Sequence, residues 1–115
     1  MSTTQQPASG AIGDTFKDTA TLSGAANLEG TGSITFNLYS AQNCVGPALD
    51  TETVDNISAN GDYTTPDGFQ IQNAGTYYWV ASFNGDSNNN SFTSGCNDEP
   101  VVVAPNQPSV SPLLA

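Results

Sequence analysis

The chain has 115 residues, with one lysine, no arginine, no histidine and eleven acids, for a formal net charge of −10. It lacks the cations that displace counterions from a phosphate backbone, and an anionic lipid surface would repel it, which excludes nucleic-acid and membrane binding. Without histidine there is neither an imidazole base nor an imidazole metal ligand, so the acids offer solubility and oxygen donors for a hard cation.

This length suits one domain, large enough to bury roughly 65% of its unfolded surface. Abundant Ser, Thr, Asn and Gly with almost no Lys or Arg points outside the cell. Cys44 and Cys96 stand 52 residues apart and neither belongs to a CxxC pair, so zinc and thioredoxin-like readings fail. An isolated disulfide is the first reading, with two buried free thiols as the alternative. No stretch has the pattern of a signal peptide or a membrane span. Met1 is therefore expected to begin a segment cut from a longer parent, with any secretion signal elsewhere in that parent.

In chain order, residues 1–13 are polar with Pro and Gly and read as a linker. "TFKDTATL" (15–22) alternates, with Phe16, Ala20 and Leu22 on one face. "SITFNLYS" (33–40) puts Ile34, Phe36 and Leu38 inward, and Thr35, Asn37 and Tyr39 outward. "ALDTETVDNI" (48–57) is a weaker, threonine-rich strand. An Asn-Gly turn leads into a short strand in "ANGDYTT" (59–65), and "GFQI" (68–71) is another. "GTYYWVASF" (75–83) is the strongest, with Tyr77, Trp79, Ala81 and Phe83 on one face and Tyr78, Val80 and Ser82 on the other. "EPVVVAP" (99–105) closes the set, and residues 105–115 read as a linker whose aliphatic end, "SPLLA", is disordered. No segment keeps a helical apolar spacing over ten positions. About seven short strands separated by turn signals predict an all-β, antiparallel immunoglobulin-like sandwich over residues 14–104.

Tyr77 has the spacing of a tyrosine corner after the turn at Gly75. Trp79 is read as core, because a ring that stacks on a ligand needs exposure. The expected core is Ile34, Phe36, Leu38, Tyr77, Trp79 and Val102.

Three stretches carry a resemblance: "KDTATLSGAANLEGTGSITFNLYSAQNC", "GDYTTPDGFQIQNAGTYYWVASFNGDSNN" and "CNDEPVVV". They resemble the bacterial immunoglobulin-like repeat domains of large prokaryotic surface and secreted, adhesin-like proteins. The matching elements are Asp18 to Gly24, Gly32 to Tyr39, Cys44, Ala74 to Trp79, Gly85 to Asn89, Cys96 and Val101 to Val103, within residues 14–104. The resemblance implies a spacer or adhesin module, often in tandem, with Cys44 bridged to Cys96 and with no catalytic residues to carry over.

Chemistry has few candidates. No Ser-His-Asp or Cys-His set can exist without histidine, and the acids at Asp50, Glu52, Asp55, Asp62 and Asp67 fall on turns and strand edges, so no enzyme and no resident cofactor are expected. Calcium is the best alternative, since "NGDSNNNSFTSGCNDE" (84–99) is rich in hard oxygen donors, Glu99 included, with Asp86, Asn88, Asn90 and Asp98 the candidate ligands. The order of an EF-hand loop is absent, and Asn also gathers in loops because it tolerates left-handed backbone. Lys17 and Asn97 raise the further question of a first-strand to last-strand isopeptide bond, which the placement of Lys17 opposite Phe16 disfavours. Two functions remain. The first is a non-catalytic extracellular spacer on the cell surface whose partners are neighbouring repeats of the same parent chain. The second is an adhesin domain for a carbohydrate or protein ligand, which an exposed cluster of Tyr39, Tyr63 and Tyr78 would favour.

Overall fold

The computed structural model describes residues 1–111, so the reading of "SPLLA" as disordered falls, for 112–115, outside the described residues. Ten strands and no helix occur among them: β1 (Ser2–Gln6), β2 (Ser9–Ala11), β3 (Thr15–Leu22), β4 (Gly32–Tyr39), β5 (Asp50–Ile57), β6 (Gly61–Thr64), β7 (Phe69–Gln70), β8 (Gly75–Phe83), β9 (Phe92–Thr93) and β10 (Pro100–Ala104). They form an all-β sandwich. One sheet runs β1-β3-β6 with β7 also on β3, and the other runs β2-β10-β8-β4-β5 with β9 also on β8. All pairings are antiparallel except β2 with β10.

Period-two patterning explains why these segments pair in this way. In β3, β4 and β8 every second side chain is buried, so each strand closes one face over the other sheet. The core between the sheets holds Phe16, Ala20 and Leu22 from β3, Ile34, Phe36 and Leu38 from β4, Tyr77, Trp79, Ala81 and Phe83 from β8, and Val101 and Val103 from β10. Val102 is the exception among the expected core residues. It is 49% exposed, on the outer face of β10, because Pro100 opposite Tyr78 sets the phase that turns Val101 and Val103 inward.

Residues 1–13 are not a linker. β1 lies along β3, with Ser2 opposite Thr21 and Gln6 opposite Lys17. After a cis Gln6–Pro7 bond the chain crosses to the other sheet, where β2 lies parallel to β10. Residues 105–111 carry no strand and are exposed.

The register also fixes where the chain enters and leaves. Met1 sits at the end of the sandwich where β3 and β8 finish, lining one depression with Leu22, Phe83 and Phe92. β10 runs the opposite way from β8, with Val103 opposite Gly75, and so exits at the other end. There Ile71 is joined to Gly13 and Asp14 by backbone hydrogen bonds, which brings the starts of β3 and β8 together.

Candidate functional site

The asparagine-rich loop after β8 is built by a hydrogen-bonded exchange with the loop between β3 and β4. Gly85 has φ of 77°, and a Cβ there would meet Asn89 O at 2.7 Å, so only glycine fits the turn. Asp86 accepts from the backbone N–H of Asn88 at 3.0 Å, from Asn89 Nδ2 at 2.9 Å and from Glu29 N at 3.2 Å. These donors, the Asn89 amide foremost, hold the Asp86 carboxyl below its ordinary range. Glu29 in return accepts from Ser87 N, and Asn88 and Asn89 donate to the carbonyls of Asn27 and Ala26.

The four calcium candidates divide accordingly. Asp86 and Asn88 share this loop, where both Asp86 oxygens are occupied by the protein's own N–H groups, and Asn90 is exposed beside them. Asp98 lies elsewhere, closing the turn before β10 through Gly95 N at 2.8 Å. Among the described residues no three His, Cys, Asp or Glu side chains converge on one point.

Beside that turn Cys44 and Cys96 form a disulfide with their Cα atoms 5.8 Å apart. It ties the β4–β5 loop to the approach to β10. Lys17 points away from the core face of β3, with its Cγ against Gly68, and Asn97 is exposed in the Cys96 turn.

The tyrosines split into two kinds. Tyr77 is buried and its hydroxyl donates to Asn73 O at 2.6 Å, closing the corner before β8. Tyr63, on the other sheet, donates to Ala59 O and packs against the core. Tyr39 and Tyr78 stand directly opposite each other on the outer face of β4 and β8, half-exposed. Around them the outward positions are Asn37, Thr76, Val80, Pro100 and Val102, none of them charged.

Two pairs of carboxyls come together that the sequence reading did not pair: it set Asp50 and Glu52 on turns and strand edges and gave Asp18 no role of its own. Asp18 is fully buried on the inner face of β3, and neither of its side-chain oxygens has a hydrogen-bond partner. Burial first, and the Glu99 carboxylate second, push its pKa from 3.8 up to about 7. Glu99, 6% exposed, accepts from Thr3 Oγ1 at 2.8 Å and from Gln5 N at 2.9 Å. At the edge of the other sheet, Asp50 and Glu52 lie together, each with one enclosed oxygen that no donor reaches. Burial first, and the adjacent Glu52 carboxyl second, raise the pKa of Asp50 from 3.8 to about 7. The other Glu52 oxygen accepts from the N–H groups of Asp67 and Gly68 at 2.7 and 3.2 Å, holding the turn before β7. The signal for Asp18 was present in the alternation, since position 18 has the same parity as Phe16, Ala20 and Leu22.

Comparison with protein-family models, with curated protein sequences and with solved structures gave no match.

Proposed function

We propose that the chain is a non-catalytic spacer module of an extracellular surface protein, one bead of a head-to-tail array. The observation that carries this reading is the placement of the ends. β1 begins at one end of the sandwich and β10 finishes at the other, so consecutive copies add length rather than fold back. The disulfide and the oxygen-rich, almost cation-free surface fit an oxidising, extracellular setting. The exposed segment 105–111 that leaves β10 begins with two prolines in four residues, Pro105 and Pro108, which makes it stiffer than a Gly/Ser tether. Solution scattering on two copies fused in tandem tests the reading. A maximum dimension near twice that of one copy supports it, and a compact two-domain particle overturns it.

A second reading draws support from the Tyr39–Tyr78 pair. Two adjacent rings with neutral amide and hydroxyl neighbours suit an uncharged polyhydroxylated ligand, and the absence of charge there contrasts with a net −10 elsewhere. Tyr63 lies on the other sheet, so the three tyrosines do not form the single cluster that would favour an adhesin. Electrophoresis through gels carrying neutral polysaccharide, compared with the Tyr39→Ala/Tyr78→Ala variant, separates the two readings. Retardation that the variant loses favours ligand binding, and equal migration favours the spacer.

A further inference from the structure

β1 is held differently from every other long strand. Its side chains, Ser2 to Gln6, are exposed or half-buried, and none enters the core. Beyond its ladder to β3, it is fixed by three hydrogen bonds to the opposite sheet at the start of β10. Thr3 and Gln5 N donate to the two Glu99 oxygens, and Gln5 Nε2 donates to Pro100 O at 2.7 Å. Directly opposite Gln5 in the ladder is Asp18, the one fully buried carboxyl of the molecule among the described residues.

The surroundings of Asp18 leave its charge uncompensated. β1 carries no titratable side chain. From the turn after β6 comes Thr65, whose hydroxyl accepts from Asp18 N at 3.3 Å, leaving the carboxyl unserved. Tyr63 of β6 spends its hydroxyl on Ala59, and Asp62 meets Thr21 at the surface. The inner face of β8 carries Tyr77, Trp79, Ala81 and Phe83, with no charged group, and Tyr77 gives its hydroxyl to Asn73 O. On β3 itself Lys17 faces the opposite way. The only charge that bears on Asp18 is the negative one of Glu99. A protonated Asp18 is tolerated at this site, whereas a buried carboxylate with no cation, no donor and a second acid beside it is disfavoured. Lifting β1 admits water to both and withdraws no side chain from the core cluster, to which β1 contributes none.

We propose that β1 is a pH-governed strand, locked across the two sheets while Asp18 holds a proton and released when Asp18 gives it up. The neighbouring Glu99 clamp makes β1 the element that yields, because the same carboxylate that Asp18 repels is the one that holds the strand. In a tandem array this release would lengthen each connector by the residues of β1 without unfolding the sandwich. The lock itself is a property of a single copy and stands apart from the spacer reading.

Amide hydrogen exchange on the intact chain at pH 5.5 and 8.5, corrected for intrinsic rates, tests this. Protection in Ser2–Gln6 is expected to fall at least tenfold at the higher pH, while amides in β4 and β8 keep theirs. Asp18→Asn, which mimics the protonated acid, is expected to keep β1 protected at both values; Asp50 is untouched in that variant and so serves as an internal control. Carboxyl carbon NMR on the unmodified chain provides a second measurement that needs no substitution. A titration midpoint of Asp18 near neutrality is expected. Flat β1 protection, an equal loss in β8, an unchanged pH response in Asp18→Asn, or a midpoint in the ordinary carboxylate range would each overturn the proposal.

Discussion

Trp79 occupies the middle of β8, opposite Leu38 in the register, with no exposed surface. Its indole N–H finds no acceptor, so its contribution is volume and apolar area rather than hydrogen bonding. Trp79→Ala is expected to cost about 3–5 kcal/mol, a large part of the stability of a domain this size; urea denaturation measures it, and a loss under 1 kcal/mol would remove the residue from the core. Asp18 acts in the opposite sense. Its folded pKa, about 7, lies above its ordinary 3.8, so between these values the folded chain keeps a proton that the unfolded chain releases. The associated stability is complete below pH 3.8 and is lost as pH rises to about 7, a change of about 4 kcal/mol at most. Asp50 shifts in the same direction at a half-exposed site and adds to the slope. Asp18→Asn should therefore melt close to the parent at pH 4 and clearly above it at pH 8. A parent domain that gains stability between pH 4 and pH 7 would contradict both assignments.

At the scale of the strand, Tyr77 links the turn to β8. Removing its hydroxyl as Tyr77→Phe breaks the bond to Asn73 O and is expected to cost about 1 kcal/mol, measured as a lower urea midpoint at unchanged slope. That corner, and seven of the eight strands from Thr15 to Ala104, were legible because each of these strands or its turn carries a signal in its own residues: alternation in β3, β4 and β8, Asn-Gly before β6 and after β8. β1, β2 and β9 carry none. "STTQQ" has no apolar member and "SGA" only the exposed Ala11, since they are held by ladders and by Glu99 rather than by burial. Phe92 in β9 is exposed and pairs at the edge of β8. Three consecutive valines in β10 gave no polar residue to set the phase, which is why Val102 was placed inside and Val101 left out. Asp18 was missed for a related reason. A carboxyl on an inward parity conflicts with the expectation that acids face water, and only its neighbours across the sheets show that it stays within.

For the whole molecule, the ends and the disulfide together determine the response to tension. Traction on the two termini pulls β1 away from β3 and β10 away from β8 along their own axes, so the bonds of each ladder are loaded side by side rather than one after another. Short parallel β2 and β10 are drawn in opposite directions in the same way. β5, β6, β7, β8 and β9 all lie between Cys44 and Cys96, and the bridge carries the force past them. With the bridge intact, an unfolding event can therefore extend only the chain outside that loop. Reduction should add the chain between the two cysteines, a sequence separation of 52, to each step, about 180 Å at about 3.5 Å per residue. Force spectroscopy on tandem copies with and without reductant reads this difference directly. Steps of the same length in both conditions would mean that the bridge does not bear load, and the tandem spacer would lose its mechanical basis.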